Sequence, residues 1–556
     1  MAVYQLPWQI NDPGWGAGQV GGMGVKQVTV FAAVAAAMAL ASCSVGPDFA
    51  TPTAPETERY TPEPLRTTTS SAPVADGAAQ RFLKGRDVSG EWWRLYGSRP
   101  LTALIRRALD ANPNLQATMA ALRVANEDVY AQQGKFFPLI QGNFNPSRQS
   151  QSSALAPVLA ASNPTFPVLP GPAQRITNPF NLVTSQLTIA YTLDVWGQNQ
   201  RAVESLQAQA DFQHFQIEAA YLTLTSNVVV TAILEASLRA QIQATERIIG
   251  INTQLLKRLR DQFAAGYANR SDVAVQEANL AQVQATLPPL RKQLAFQRNL
   301  LAALLGVPPS APMPEVFRLT ELRLPTDLPV SLPSQLIQQR PDVRSAEEQL
   351  HSASAQVGVA IANQLPNFTI SGSRGYTASD LAALVTYFSH FNLFWSVAGN
   401  ATQTLFDGFS LEHQKRAAIA AYDQAAWSYR ATVIGALQNV ADALRALQND
   451  ADAVRAAAAF ERAAKVSLDV AQEQFNSGNI NVLLLLTQQQ AYQQAVIALV
   501  QAQANRLIDT AALYAALGGG WWNRIEPLVE KKYDVSAGQP VPAEFRLNCG
   551  FISLLC

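Results

Sequence analysis

Residues 198–265 read QNQRAVESLQAQADFQHFQIEAAYLTLTSNVVVTAILEASLRAQIQATERIIGINTQLLKRLRDQFAA, with no proline and one glycine, Gly250. Phe409 to Ser477 is a second stretch of the same kind, again without proline and with one glycine, Gly435. Neither holds a cluster of turn residues, so each is expected to be one unbroken helix. At 1.5 Å per residue, a helix of about 68 residues is about 100 Å long. A compact soluble core is not that deep, so such a rod needs neighbours along its length. Val203, Leu206, Phe212, Phe215, Ala219 and Leu222 supply an apolar stripe at spacings of three and four, as side-by-side packing requires.

The rod occurs twice because the chain repeats. Asn112-Pro113-Asn114-Leu115 opens a helical pattern that ends at Phe137-Pro138, and Arg340-Pro341-Asp342-Val343 opens one that ends at Leu365-Pro366. Gln262-Phe263-Ala264-Ala265-Gly266 is echoed by Gln474-Phe475-Asn476-Ser477-Gly478, and Leu305-Gly306 by Leu517-Gly518. The offset shortens between the two sets, and Gln149 to Asn181, rich in Ser, Ala and Pro, is the inserted loop that accounts for it. Each half then reads helix, strand, loop, strand, very long helix, glycine turn, helix.

The strands are short and alternate. In Leu182 to Leu193 the odd positions Val183, Leu187, Ile189, Tyr191 and Leu193 form an apolar face broken only by Ser185. Leu393 to Leu405 alternates likewise, and 139–148 and 367–376 are weaker partners. A pair of hairpins lying on a soluble core is the alternative. Four strands cannot close a barrel, and lipid does not tolerate open edges. Three chains pooling their strands would give 12, within the range of membrane barrels. The expected fold is therefore mainly α with a transmembrane β part. It is a trimeric 12-stranded β-barrel, four strands per chain, continued by a long α-helical barrel.

Composition excludes other classes. Lys+Arg and Asp+Glu balance at 41 each, so there is no electrostatic reason to expect nucleic acid. His214, His351, His390 and His413 are scattered without metal-ligand spacing. No glycine loop with a following lysine is present to cradle a phosphate. Asp442, Asp450 and Asp452 fall on the second long helix and read as solvated charge. The chain is not expected to be an enzyme, and no cofactor or metal is expected.

Residues 23–43, MGVKQVTVFAAVAAAMALASC, give a positive start at Lys26, a short apolar run from Val28 to Leu40, and Leu40-Ala41-Ser42-Cys43. The ending resembles the bacterial lipobox. That implies a signal peptide over 1–42 and a diacylglycerol and N-acyl lipid on Cys43. Met1 to Gly22 has no Lys or Arg, so translation is expected to begin at Met23. Cys549 and Cys556 make no disulfide framework with the remaining cysteine.

Several segments, in order, resemble the TolC-like outer-membrane efflux proteins, and more closely the OprM/NodT-type lipoprotein branch. They are Cys43 to Phe49, Trp92-Trp93 with Leu101 to Leu115, Leu193-Asp194-Val195-Trp196-Gly197, Arg340 to Arg344, Leu405-Phe406-Asp407-Gly408 and Leu517 to Trp521. The resemblance implies a homotrimer in the outer membrane with a periplasmic helical barrel. It implies a closed tip and an equatorial belt built partly from the N- and C-terminal segments, with 43–100 and the linker 307–332 assigned to it, repeats at 101–306 and 333–518, and a C-terminal tail over 519–556. It further implies export of small molecules with a periplasmic adaptor and an inner-membrane transporter, most often of the proton-driven RND type. A type I protein-secretion duct shares the architecture, and a non-conducting envelope adhesin is the remaining alternative.

In that family the two glycine turns, here Gly266 and Gly478, lie at the periplasmic tip, and the helix after each lines the narrowest part of the duct. Asp272 falls where the family often has a tip carboxylate, and it also suits a helix N-terminus. Six and nine residues past the second glycine the family often places acids, but Leu484 and Thr487 stand there. With Leu483 they make an apolar constriction the expected gate, closing by exclusion of water.

Overall fold

The computed structural model describes residues 44–524 apart from 54–56, 58, 151–178, 314, 380 and 387–392. Cys43, the bulk of the 149–181 loop and the tail beyond Arg524 lie outside the described residues. The chain divides into two compact units. One holds residues up to Pro47, Gln133–Ala202 and Gly358–Lys415, and the other holds the remainder.

The larger unit is helical. Helices α1 (Arg99–Ala111) and α2 (Pro113–Gln133) are followed by α3 (Gln198–Ala264) and α4 (Arg270–Leu304). In the second half α5 (Pro333–Gln339) and α6 (Pro341–Ala362) precede α8 (Ser410–Asn476) and α9 (Val482–Ala516). The long helices α3 and α8 have 67 residues each, and their returning partners α4 and α9 have 35 each. Both long helices stop one residue short of the expected ends, at Ala264 and Asn476, where the glycine turn begins. Part of α3 is apolar enough to cross a membrane by composition, but 56% of that window is buried inside the fold, so it serves as packed core.

Side chains set the helix starts. Ser98 caps α1 by accepting from the Leu101 amide, and the Asn112 carbonyl oxygen of the side chain accepts from Asn114 and Leu115 at the head of α2. Asp194 accepts from the Asn199 and Gln200 amides at the head of α3, and Asp407 from Leu411 at the head of α8. The Asp-Val-Trp-Gly and Phe-Asp-Gly segments are thus helix caps.

At the far end of α3, Gly266 has φ +79°, the Gly266 amide donates to Phe263 and the Tyr267 amide to Gln262. Gly478 has φ +78°, with the same two bonds to Phe475 and Gln474. This is the Schellman termination, which needs a left-handed residue after the last helical turn. Space is open around both glycines. Gly478→Ala is therefore expected to cost only backbone strain, about 1–2 kcal/mol, measurable as a lowered midpoint in denaturant.

A large apolar cluster joins α1, α3, α8, α9 and the loops around them. Trp92 stacks on Tyr514 at 5.4 Å, and Trp93, Tyr96, Ile105, Val229, Leu444 and Leu507 are buried beside them. Strand β1 (Arg81–Lys84) pairs in parallel with β4 (Asp327–Val330) in the same unit. Arg506 is fully buried, and it donates to Thr69 and Gln80 side chains and to the carbonyls of Asp76 and Ala78.

The smaller unit is a four-stranded antiparallel sheet of β2 (Leu139–Gln149), β3 (Phe180–Leu193), β5 (Asn367–Ala378) and β6 (Leu393–Thr402), in the order β2-β3-β5-β6. Each strand has one end at the residue read from alternation and the other shifted by one to three residues. Directly paired residues share a face. One face carries Ile140 and Phe144, then Leu187, Ile189 and Tyr191, then Ile370, then Trp395 and Val397. The other carries Gln141, Asn143, Thr188, Thr369, Ser371, Ser373, Ser396 and Asn400. Away from its loop end the apolar face is bare in the protomer, with Trp395 72% exposed. At its loop end Leu384 of α7 (Leu381–Thr386) packs on Val183, Ala378 and Tyr376. Both β2 and β6 are edge strands.

Candidate functional site

The two glycine turns bring the starts of α4 and α9 together, and these helices pack on each other. Asn481 caps α9 by accepting from Leu484. The run Val482 to Leu486 is then divided by helical periodicity. Val482, Leu485 and Leu486 are buried with Leu255 and Leu259 of α3 and Ala471 of α8. Leu483 is 61% and Leu484 45% exposed, and Thr487, one turn on, is exposed beside them. The expected gate residues thus form one stripe that packs on nothing in the protomer core, while their neighbours hold the helices together.

Asp272 lies at the corresponding start of α4. Its Oδ2 accepts from the Asn269 amide at 3.2 Å and completes a capping box. In this structure it is a helix cap, bonded within its own turn.

One turn behind the apolar layer is an amide network that pattern reading missed, buried at Asn252, Gln276 and Asn279 and exposed at Gln490. Gln276 of α4 donates to the Asn252 side chain at 3.0 Å and to its carbonyl at 2.9 Å. Asn279 donates to Asn252 Oδ1 at 3.0 Å, and Gln490 of α9 to Asn279 Oδ1 at 3.2 Å. The Gln489 amide is buried with no partner among the described residues. The network ties the first hairpin to the second. In a chain so rich in Gln, no local signal separates these amides from surface ones.

Two charge clusters also depart from the sequence reading. Asp450 is not simply solvated: burial, and then the hydrogen-bonded Asp509 carboxyl, push it up to about 7. Asp452 accepts from Ser70 at 2.5 Å and pairs with Arg66 and Arg455, which holds its carboxyl low. His351 of α6 lies 3.1 Å from Glu204 and 3.4 Å from Glu348, and Phe49 stacks on its ring at 4.4 Å.

The Glu348 hydrogen bond raises the His351 pKa above the ordinary 6.5, with Glu204 adding to it. Asp211 lies beside this cluster, its carboxyl acted on by Glu348, His214, His351 and Arg344. A raised imidazole stabilises the fold fully below its unfolded value and loses that contribution as pH rises through the folded one. Thermal melting is therefore expected to drop as pH climbs above 6.5, and the His351→Gln variant should lack that part of the slope. Among the described residues, no group of three or more His, Cys, Asp or Glu is placed to hold a metal ion.

The segment after Cys43 is fixed to the smaller unit. The Val45 amide donates to the Trp196 carbonyl at 3.1 Å, and Arg201 donates to the carbonyls of Val45 and Gly46. Gly46 has φ +102° and lies against Gly358 so closely that a Cβ would collide with its backbone. The chain therefore leaves the fold at a set point immediately beside the expected anchor.

Long antiparallel helical hairpins, glycine-turned ends and a two-faced sheet with open edges define the TolC-like class of outer-membrane channels. The chain belongs to the outer membrane efflux protein family, whose profile matches residues 104–307 and 332–519. It is 26% identical over 470 residues to the pyoverdine export outer membrane protein OpmQ of Pseudomonas aeruginosa, covering 83% of this chain and 95% of that protein. It is 26% identical over 501 residues to nodulation protein T of Rhizobium leguminosarum bv. viciae, covering 88% and 93%. Among solved structures, the outer-membrane channel OprN superposes with a TM-score of 0.73 at 24% identity over 86% of this chain and 100% of that one. The Campylobacter jejuni CmeC channel gives 0.72 at 20% over 86% and 95%. These likenesses carry the fold.

Proposed function

We propose that this chain forms the outer-membrane duct of a tripartite efflux assembly, as a homotrimer anchored by lipid on Cys43. Three four-stranded sheets join through their β2 and β6 edges into a 12-stranded barrel, apolar face to lipid and polar face to the lumen. The long helices of three copies line the periplasmic part of the duct. A periplasmic adaptor and an inner-membrane transporter of the RND type supply coupling and energy, and the chain itself performs no catalysis. The cargo is a small molecule. Relatives are named for export of pyoverdine, solvents and toluene.

The observation that carries this reading is the sheet. It has one apolar face, one polar face and two unpaired edges, an arrangement that lipid accepts only when other copies close the cylinder. Leu483, Leu484 and Thr487 are the proposed constriction at the resting tip, with Gly266 and Gly478 as its turns. Purified protein reconstituted in planar bilayers is expected to behave as an ion-conducting trimer. A non-conducting monomer would overturn the proposal. Mass spectrometry should find acylated Cys43 as the first residue, and a mature chain that keeps residues 1–22 would overturn the anchor.

A further inference from the structure

Among the described residues the four strands of the sheet contain no Asp or Glu, and their only charged side chains are Arg148 and Arg374. Both are on the apolar face. Arg374 is directly opposite Leu187 on β3 and Trp395 on β6, and Arg148 is opposite Asn181. Both belong to the loop-side half of their strands, away from the ends that lead into helices. Both are exposed, and neither has an ion-pair partner among the described residues.

A cation on a lipid-facing surface is costly in proportion to its depth. An arginine there extends its apolar stem along the sheet and carries its guanidinium toward the headgroups. Trp395 beside Arg374, and Tyr376 one row further on, are the aromatic types that settle at that boundary. The planar fork of a guanidinium matches a phosphate through paired, charge-assisted bonds.

We propose that Arg374 and Arg148 each hold the phosphate of an anionic lipid headgroup, in the leaflet at the loop end of the sheet. This rests on the barrel reading above, which makes the apolar face the outer one. The lack of any acid on the strands leaves the site attractive to anions.

The test uses the full-length trimer in nanodiscs of phosphatidylcholine alone or mixed with phosphatidylglycerol, with thermal dissociation of the trimer as readout. The wild type is expected to dissociate at a higher temperature in the anionic discs. Arg374→Leu should lose most of that rise, the double variant with Arg148→Leu all of it, and Arg374→Lys should keep part. In phosphatidylcholine alone Arg374→Leu should be as stable as wild type or more so, because an unpaired charge has left the lipid face.

The proposal falls if Arg374→Leu keeps the full rise, or if it is equally weakened in both discs. It also falls if inorganic phosphate added to phosphatidylcholine discs reproduces the rise. A wild type that never inserts as a trimer sinks the barrel reading and this one together, whereas an inserted trimer with indifferent variants sinks this one alone.

Discussion

Leu484→Ala is expected to raise the resting conductance of the trimer severalfold while leaving the protomer fold intact. The side chain is 45% exposed and belongs to the stripe of Leu483 and Thr487, not to the apolar layer that joins the helices. Truncating it removes little buried area, so its stability cost is small. An apolar constriction closes by shedding water, and a methyl in place of an isobutyl group widens and wets it.

Leu485→Ala is the counterpart. Leu485 is completely buried against Leu255 and Leu259, so its truncation is expected to cost about 2–5 kcal/mol through a cavity. Bilayer recordings alongside denaturant unfolding separate the two effects. Unchanged leakage in Leu484→Ala at normal trimer yield would remove this stripe from the gate.

The second large effect concerns stability. Arg506→Met is expected to destabilise the larger unit by about 3–5 kcal/mol, the loss seen when a buried charge network is broken on one side. The guanidinium is wholly buried and satisfies two side chains and two carbonyls between Thr69 and Gln80. Methionine fills much of the volume but leaves Gln80 Oε1 and the carbonyls of Asp76 and Ala78 without their donor, and Thr69 Oγ1 with only the Gln80 amide.

A pH signature accompanies it. Asp450 is raised from 3.8 to about 7, so the folded state holds a proton there that the unfolded state has released. Its contribution is fully present below 3.8 and is lost as pH rises toward 7. Arg506 opposes that rise in pKa by its charge. The variant should therefore shift the loss to higher pH, and Asp450→Asn should abolish it. Calorimetric melting between pH 4 and 8 reads both. A melting temperature within error of wild type for Arg506→Met would refute the clamp.

Features decided by neighbouring residues were legible in the sequence. A proline-free run specifies a rod, and a glycine after its last turn specifies where the chain reverses, because both are backbone properties. The sheet faces were legible for the same reason, since alternation is set residue by residue. What depends on which helices meet was hidden. Nothing around Asp450 announces Asp509, which packing of α8 on α9 brings to it. The division of Val482 to Leu486 into buried and bare positions follows from where α3 and α8 lie. The Asn252, Gln276, Asn279 and Gln490 network joins residues from three helices, and each alone reads as an ordinary polar position.

The bare sheet has a consequence for biogenesis. On the proposed trimeric barrel, a newly secreted copy enters an aqueous compartment with sticky strand borders and a greasy surface, and matures only on meeting two others. Its birth is a contest between a concentration-dependent encounter and unproductive stacking of strands. Overproduction should therefore favour inclusion bodies over assembled channels, and slow, dilute synthesis with a chaperone shielding the sheet should favour the reverse.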